Sequence, residues 1–394
     1  MSSELERRLE HALGDAPGPD PGVTDRALQA ALGALPPPGD MRRARRRRLV
    51  LLLAACIAAF VSGGVTLAAT GAHLPVVNPE PARTHEPLPA AQPDASLLPA
   101  DAAIWAAGGG RATVVTARDA GRRVNGRHLT AFAASPGSLY VVEGHGAGLR
   151  TVEARTGRVV WTRADLGGRP VAAVWSPFPI RIAYLLRTAG GYTVGDLWGT
   201  GTHPFTVDTH AAPVMPAWRW DSQALAYVAA SGSVVVHDVI GGANRPLPRA
   251  CGIHRPAAIA FAPAGPWLAV ADRAGRVALL DTSGAHDPRC LVGPAGRPQL
   301  AWLRRNELLA AAGSSLTRYG LSAAEVAART VSTRQPVESI AASPDGRRIV
   351  VALRGRSLTA VVATMPPSLR SSSPALAYGL TLLHLRGPVQ VQWR

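Results

Sequence analysis

The chain has 394 residues, of which 47% are hydrophobic, and its 42 basic residues outnumber 26 acidic ones to give a formal net charge of +16. This length allows one large domain or two ordinary ones, and the apolar fraction is enough for a sizeable core. Three cysteines are too few for a fold that depends on a framework of disulfides.

Residues 1–48 are predicted to form a cytoplasmic tail with two short helical segments. The first begins with a capping box, Ser3 and Glu6, and the second begins at Thr24. The segment GDAPGPDPG separates them, because its glycines and prolines end a helix. Each segment has about 12 residues and is marginal alone in water. The tail is therefore either solvated and weakly ordered, or paired with itself or with a cytoplasmic protein partner.

Residues 49–70 carry no charge and are predicted to form a single transmembrane helix. At 1.5 Å per residue, this segment spans about 33 Å, which is enough for a bilayer core. Six arginines precede it: Arg42, Arg43, Arg45, Arg46, Arg47 and Arg48. By the positive-inside rule they keep the N-terminus in the cytoplasm and place the rest of the chain outside the cell membrane. A cleaved signal peptide is the alternative, although the 48-residue leader is long for one.

Residues 71–100 are predicted to be a semi-extended linker, and residues 101–394 a separate extracytoplasmic domain. The linker holds seven prolines, which favour an extended backbone.

A repeat of 38 to 52 residues runs through residues 101–394. Each unit begins with an apolar strand and continues through a turn to a second, third and less regular fourth strand. Four short strands in a unit of 40–45 residues are typical of a β-propeller blade. The units begin at Arg127, Pro170, Pro213, Pro256, Pro298, Pro336 and Pro388. The count predicts seven blades, with six or eight left open.

An aromatic residue recurs near the end of the first strand of most units. These residues are Phe132, Trp175, Trp218, Phe261, Trp302 and Trp393. Because they recur once per unit, we interpret them as core side chains that pack between neighbouring blades.

The last strand, PVQVQWR, lies at the opposite end of the sequence from the unit that it is expected to complete. The strands at Ala102, Ala112 and Arg122 match the second, third and fourth strands of a unit without a first strand. Pro388 to Arg394 would supply that strand and leave the ring without an open edge. The predicted fold is an all-β, seven-bladed propeller closed by its C-terminal strand.

Two kinds of repeat are similar to known families. The segments WSPFPIRIAYLL and ASPDGRRIVVAL resemble the WD-like repeats of Tol-type periplasmic propellers. One unit, with Glu153, Thr156, Gly157 and Trp161, resembles a quinoprotein repeat. These resemblances imply scaffolding, envelope interaction or cofactor-dependent oxidation, which do not agree with one another. The layout of tail, arginines, span and exported domain resembles actinobacterial membrane-anchored regulators, including anti-sigma factors, without their zinc-binding His/Cys motif.

No catalytic, cofactor-binding or metal-ligating residue is predicted. The GHGAG segment at Gly144 suits a tight turn between strands, since no helix follows to bind phosphate. His203, Asp208 and His210 match no known metal spacing. No G-x-S-x-G motif marks a nucleophile. We therefore expect a protein that is not an enzyme and has no cofactor.

Cys251 and Cys290 are a candidate disulfide. Both follow the predicted span, and so lie in a compartment where disulfides persist. Cys251 precedes the first strand of one unit, and Cys290 lies near the end of the fourth strand of the same unit. The two should share a face of that blade, provided that the loop at Cys251 leans outward. Two buried free thiols are the alternative.

The predicted function is that of a membrane-anchored extracytoplasmic binding or scaffold module. Residues 101–394 carry 32 arginines against 16 acidic residues, so the propeller can meet a protein, an anionic lipid headgroup or an anionic envelope polymer, with no nucleic-acid partner expected. Codon bias of a GC-rich genome such as an actinobacterial one is an equal explanation of the charge. The alternatives are a transmembrane regulator that contacts a cytoplasmic partner such as a sigma-type factor, and a quinoprotein-like enzyme.

Overall fold

A computed structural model describes ten stretches of the chain: residues 103–108, 111–116, 119–124, 129–178, 180–322, 326–333, 335–354, 358–364, 377–381 and 389–393. The predicted tail, membrane span and linker lie outside these residues. Within the described stretches, no helix is long and apolar enough to cross a membrane.

The described residues form 28 strands and one 3-10 turn at Pro136–Ser138. Strands β1 to β14 are Ala103–Gly108, Arg111–Thr116, Asp119–Val124, Leu129–Ala134, Tyr140–His145, Gly148–Glu153, Val159–Arg163, Arg169–Trp175, Arg181–Thr188, Gly191–Trp198, Phe205–Ala211, Ala217–Trp218, Ala224–Val228 and Val234–Asp238. Strands β15 to β28 are Asn244–Pro246, Pro256–Phe261, Trp267–Asp272, Arg276–Asp281, Arg289–Val292, Gln299–Arg304, Glu307–Ala312, Ser315–Leu321, Val326–Ser332, Val337–Ala342, Arg348–Arg354, Leu358–Thr364, Ala377–Thr381 and Val389–Trp393.

These strands pair into seven antiparallel four-stranded sheets across the described part of the chain. Six sheets use four strands that are consecutive in sequence, from β4–β7 to β24–β27. The remaining sheet has the order β28-β1-β2-β3. The all-β class and the four-strand unit predicted from the repeat are therefore confirmed.

Strand β28 joins the first sheet by pairing with β1, as the sequence predicted. Its register places Trp393 opposite Ile104 and Val389 opposite Gly108. Two side-chain hydrogen bonds fix β28 to the sheets on either side. The Val391 backbone N–H donates to Ser339 Oγ at 3.1 Å, and the Ala134 N–H donates to Gln392 Oε1 at 2.9 Å.

The core lies between the sheets. Each buried cluster draws its side chains from two neighbouring sheets, as where Val236 and Leu247 pack with Ile259 and Leu280. The second strand of each sheet packs on both faces and is therefore a continuous apolar run, such as ALAYV in β13, in which all five residues are buried.

A buried serine organises the turn between first and second strands in three of the sheets. The hydroxyls of Ser135, Ser176 and Ser343 each accept a hydrogen bond from the backbone N–H five residues later, at 2.9–3.2 Å. Serine followed by proline is thus a turn signal, because the hydroxyl satisfies a backbone donor that the turn would leave unpaired.

Candidate ligand-binding groove

An open groove lies at one end of three consecutive sheets, those of β12–β15, β16–β19 and β20–β23. We call this the groove end of the sheets. Its walls are the connections that enter the first strands, at 212–215, 249–258 and 297–300, and the turns between second and third strands, at 228–232 and 272–276. The cavity volume is about 1280 Å³. Pockets for single small molecules are about 300–1,000 Å³, so the groove is large enough for a segment of a polymer.

Five exposed arginines line this groove: Arg249, Arg255, Arg273, Arg276 and Arg297. The one carboxylate among the lining residues belongs to Asp272, which is buried and already engaged. Asp272 forms an ion pair with Arg276 at 2.6 Å and accepts the backbone N–H groups of Ala274 and Arg276. Its charge is thus used to hold the turn, so the groove presents net positive charge.

Three of the arginines carry this charge without compensation. Arg249 donates to the carbonyl of Ser231 at 3.1 Å. Arg255, Arg273 and Arg297 have no acidic partner among the described residues. Guanidinium groups present planar donors that match carboxylate and phosphate oxygens. The groove therefore has the chemistry to bind an anion.

Part of the groove lining is apolar. It includes Val214, Met215, Ala257, Pro298 and Leu300, with Met215 38% exposed. The Nε2 atom of Gln390 on β28 lies 3.7 Å from the Met215 sulfur, although the two residues are 175 positions apart. This contact places the first strand of the β28-β1-β2-β3 sheet next to the loop that enters β12, so the lining at Met215 lies where first strands converge.

The loop before β16, which carries Arg249, His254 and Arg255, is held by two local constraints. Cys251 is bonded to Cys290 of β19, with the Cα atoms 5.3 Å apart. Gly232 has φ +82°, and a Cβ at this position would lie 2.3 Å from the His254 carbonyl oxygen. Only glycine tolerates both this conformation and this approach. The loop is consequently fixed at two points around its basic residues.

The structure places both cysteines of the predicted disulfide in bonding contact. Cys251 is half-buried and packs against the core shared by β12–β15 and β16–β19. Because Cys251 is in the connection between those two sheets, the bond to Cys290 ties the connection to the outer strand of the second one. The loop leans outward over that sheet, as the sequence argument required.

The repeated tryptophans lie in the core between sheets and away from the groove. Each buried indole N–H donates to a carbonyl in the first strand of the preceding sheet: Trp175 to Ala133 at 3.1 Å, Trp218 to Val174 at 3.1 Å and Trp302 to Ala260 at 3.0 Å. The three acceptors occupy the same position of their strands. The recurring tryptophan is thus a link between neighbouring first strands.

Two of the other core aromatics differ in detail. Phe261 occupies the same register as the tryptophans, opposite Leu268, but has no N–H to donate. Phe132 does not: it lies opposite Glu143, and Ala134 takes the common position opposite Val141. The predicted register of Phe132 is therefore wrong by two residues, because spacing was counted from Arg127 instead of from the serine turn. Phe132 is still buried and packs 5.8 Å from the Trp105 ring.

For Trp393, the structure gives the backbone pairing with Ile104, and its side chain lies outside what is described. The six arginines at 42–48 also lie outside the described residues.

The weaker sequence candidates have structural explanations. Thr156 donates to Glu153 Oε2 at 2.6 Å and Trp161 donates to the Gly199 carbonyl at 2.8 Å, so the quinoprotein-like residues hold a turn and a contact between sheets. Asp208 accepts the backbone N–H of His210 at 2.8 Å. Across the described residues, no group of three His, Cys, Asp or Glu side chains could hold a metal ion.

Sequence reasoning missed the arginines of the groove because they come from separate loops. One signal was present. An arginine directly precedes Pro170, Pro256 and Pro298, which begin three of the repeats. Since the same position of each repeat lies at the same end of its sheet, Arg-Pro at these positions indicates basic charge at the groove end.

Comparisons with solved structures identify the fold. The structure is similar to the C-terminal WD40 domain of Sif2, with a TM-score of 0.53 and 15% identity over 77% of this chain and 86% of that one. The fold is that of a WD-like β-propeller. It is also similar to the WD40 repeats of RRP9, with a TM-score of 0.53 and 14% identity over 66% and 83% of the two chains. A third match is hydrazine synthase of Kuenenia stuttgartiensis, with a TM-score of 0.52 and 15% identity over 66% and 91%.

These comparisons confirm the WD-like resemblance expected from the repeats. No protein-family model and no curated protein sequence matches the chain. At identities of 13–15%, the structural likeness shows the fold alone. Function has to be argued from the groove.

Proposed function

We propose that the chain is a membrane-anchored, extracytoplasmic, seven-bladed propeller that binds an anionic envelope polymer in its basic groove and catalyses no reaction. Seven four-stranded sheets in the described residues support the blade count. The uncharged stretch at 49–70 and the arginines before it support the anchor and its orientation.

The observation that carries the ligand assignment is the charge of the groove. Arg255, Arg273 and Arg297 come from three different loops, so their charges are spread along the groove, which is about 1280 Å³ in volume. A surface lined by one sign of charge raises the local concentration of a ligand of the opposite sign. Phosphate groups repeated along a polymer match this arrangement better than a single small anion.

The same residues favour binding over catalysis. General acid–base chemistry needs a titratable group free to exchange a proton with the ligand. Asp272 is held by Arg276 and two backbone N–H groups, and His254 is the one histidine among the lining residues. The groove offers donors to recognise an anion and lacks a paired acid and base. The fold does not decide this point, since the solved neighbours include both WD40 domains and a hydrazine synthase.

The alternative in which the tail couples the propeller to a cytoplasmic protein depends on residues 1–48, outside the described residues, and stays a prediction.

Binding of poly(glycerol phosphate) to the purified chain tests the proposal. The variant R255Q/R273Q/R297Q removes three charges from the groove. At about 0.5–1 kcal/mol for each exposed charge contact, Kd should rise by about 10- to 150-fold. The control variant R158Q/R305Q/R347Q removes three exposed arginines from the opposite end of the sheets and should bind as the wild type does. Equal loss in both variants, or none in either, contradicts the groove as the binding site.

A further inference from the structure

Six large apolar side chains are exposed at the end of the sheets opposite to the groove. They are Leu139 (54% exposed), Phe178 (57%), Ile180 (45%), Trp198 (40%), Trp220 (43%) and Ile240 (76%), and we call them the apolar face. Of the other exposed large apolar residues in the described stretches, Met215 lies at the groove, Val292 ends β19 at the groove end, and Val159, Val160 and Phe205 lie on outer strands that begin at the same end as the six. Exposure is thus concentrated at one end.

The topology brings these six residues to one surface. Leu139, Phe178, Ile180 and Trp220 lie in or beside turns between first and second strands, and Trp198 and Ile240 lie where third strands end. In an antiparallel four-stranded sheet, both kinds of connection lie at the same end. The three sheets involved, β4–β7, β8–β11 and β12–β15, are consecutive and are linked in register by the indole bonds of Trp175 and Trp218.

Hydrogen bonds hold the turns of this face in place. The Phe178 N–H donates to Ser222 Oγ of the next sheet at 3.0 Å, and its carbonyl accepts the Ile180 N–H at 2.7 Å. The Ile180 carbonyl accepts the Gly199 N–H at 2.8 Å. The side chains of Phe178 and Ile180 therefore stay exposed on a fixed backbone, although burial of such side chains is favourable. A fixed, contiguous apolar surface indicates a binding partner.

Arginine accompanies the aromatic residues. The Arg181 guanidinium lies 5.2 Å from the centre of the Trp198 ring and also pairs with Asp196. At the same end of the sheet β4–β7, the side chain of Arg158 is 74% exposed and lies 3.6 Å from Glu153. Acidic groups near the face are engaged locally: Asp221 pairs with Arg219 at 2.7 Å. The face is apolar, and the arginines at its edge lie beside carboxylates, while Asp238, which accepts the Ile240 N–H at 2.9 Å, is also exposed.

We propose that the apolar face docks on a lipid bilayer that contains anionic headgroups. Tryptophan and other amphipathic rings are favoured at the membrane–water boundary, and arginine favours anionic lipid beside it. Loop tips, unlike a flat sheet edge, can enter the headgroup region without exposing unpaired backbone groups to it. The inference rests on the proposed membrane anchor, which would keep the propeller within reach of the bilayer through the linker at 71–100.

Fluorescence quenching by brominated lipid tests this proposal on the full chain in nanodiscs. All nine tryptophans lie at residue 105 or beyond, so the predicted span at 49–70 contributes no signal. With brominated phosphatidylglycerol, the wild type should be quenched, and W198F/W220F should lose the quenched fraction. The variant F178S/I240S keeps every tryptophan and should weaken contact roughly 10-fold or more, the effect of leaving a large apolar side chain unburied.

The control is V292S, which removes an exposed apolar side chain (38%) at the groove end, where Val292 pairs with Arg276. It should be quenched as the wild type is. Absence of quenching in a chain that co-elutes with nanodiscs overturns the docking and leaves the anchor and the groove intact. Equal quenching in brominated phosphatidylcholine overturns the anionic part of the proposal.

A chain that fails to co-elute with nanodiscs overturns the anchor instead. Docking is then judged on phosphatidylglycerol vesicles carrying the same brominated lipid. Quenching that is lost in F178S/I240S and kept in V292S supports docking, and absence of quenching overturns it.

Discussion

Replacing Gln392 by alanine removes the side-chain acceptor that joins β28 to the neighbouring sheet. Gln392 Oε1 accepts the Ala134 backbone N–H at 2.9 Å. Ala134 is fully buried and Gln392 is 9% exposed, so water cannot replace the lost acceptor without a rearrangement. An unsatisfied buried donor costs about 1–3 kcal/mol. We therefore expect Q392A to lower the free energy of unfolding by about this amount.

The same strand offers a matched control. Gln390 lies two residues earlier on β28 and makes a weak contact of 3.7 Å with the Met215 sulfur. Because that contact is long and near solvent, Q390A should change the free energy of unfolding by less than about 0.5 kcal/mol. Urea denaturation of the purified chain, followed by tryptophan fluorescence, gives both values from the midpoint at constant slope.

Equal stability of Q392A and Q390A would refute the reasoning that β28 is held between two sheets. A second variant, deletion of residues 388–394, tests the same point more strongly. It opens an unpaired edge on β1 and removes the backbone donor that Ser339 of β24 accepts. We expect the shortened chain to aggregate or to be digested by protease under conditions in which the full chain resists.

Three further outcomes are expected. Trp218→Phe should destabilise the chain by about 1–3 kcal/mol, because it removes the donor to the half-buried Val174 carbonyl and leaves a cavity. Trp220→Phe, at 43% exposure, should be nearly neutral in thermal unfolding. Cys251→Ser should lower the free energy of unfolding by about 4 kcal/mol, the value of the chain-entropy model for a separation of 39 residues. In the wild type, thiol alkylation without reduction should leave Cys251 and Cys290 unlabelled. Burial raises the pKa of Glu143, so the folded chain holds this proton more tightly than the unfolded chain does. The free energy of unfolding therefore falls as pH rises through the raised pKa. Urea denaturation from pH 4 to 7 should show the wild type losing stability relative to E143Q.

The repeat made the fold predictable because each unit carries the same physical signals. An apolar first strand, a serine or other polar turn and an apolar second strand recur with one aromatic position, and these features are local in sequence. The pairing of β28 with β1 is the exception, since it joins residues almost 290 positions apart. It was predictable only because one unit had three strands and the final segment had one.

The register within a unit was less predictable. Phe132 seemed to share the position of Trp175 when spacing was counted from the start of the strand. The equivalent start of that strand is Leu129, because Leu129 pairs with His145 as Pro170 pairs with Leu186, and the serine turn at Ser135 fixes the common position at Ala134. No proline marks the first strand of this unit, so counting back from the next unit placed its start two residues too early, at Arg127.

The groove could not be assembled from the sequence at all. Its arginines are separated by up to 48 residues, and each appears in its own loop as an ordinary exposed charge. They converge because successive repeats place equivalent loops at one end of neighbouring sheets. The apolar face was hidden for the same reason, since Phe178, Trp198 and Trp220 are single apolar residues in polar turns.

The topology of the sheets places the groove and the apolar face at opposite ends. Connections that enter first strands lie at one end of every sheet, and turns that leave them lie at the other. A propeller that rests on a bilayer by its apolar face therefore presents its groove away from the membrane. An anionic polymer in the groove would then lie beyond the headgroup layer, where it does not compete with lipid for arginine. The two ends should consequently respond independently. R255Q/R273Q/R297Q should weaken polymer binding by about 10- to 150-fold without changing bromolipid quenching. F178S/I240S should weaken bromolipid quenching without changing polymer binding. Loss of both in either variant would mean that one surface serves both ligands.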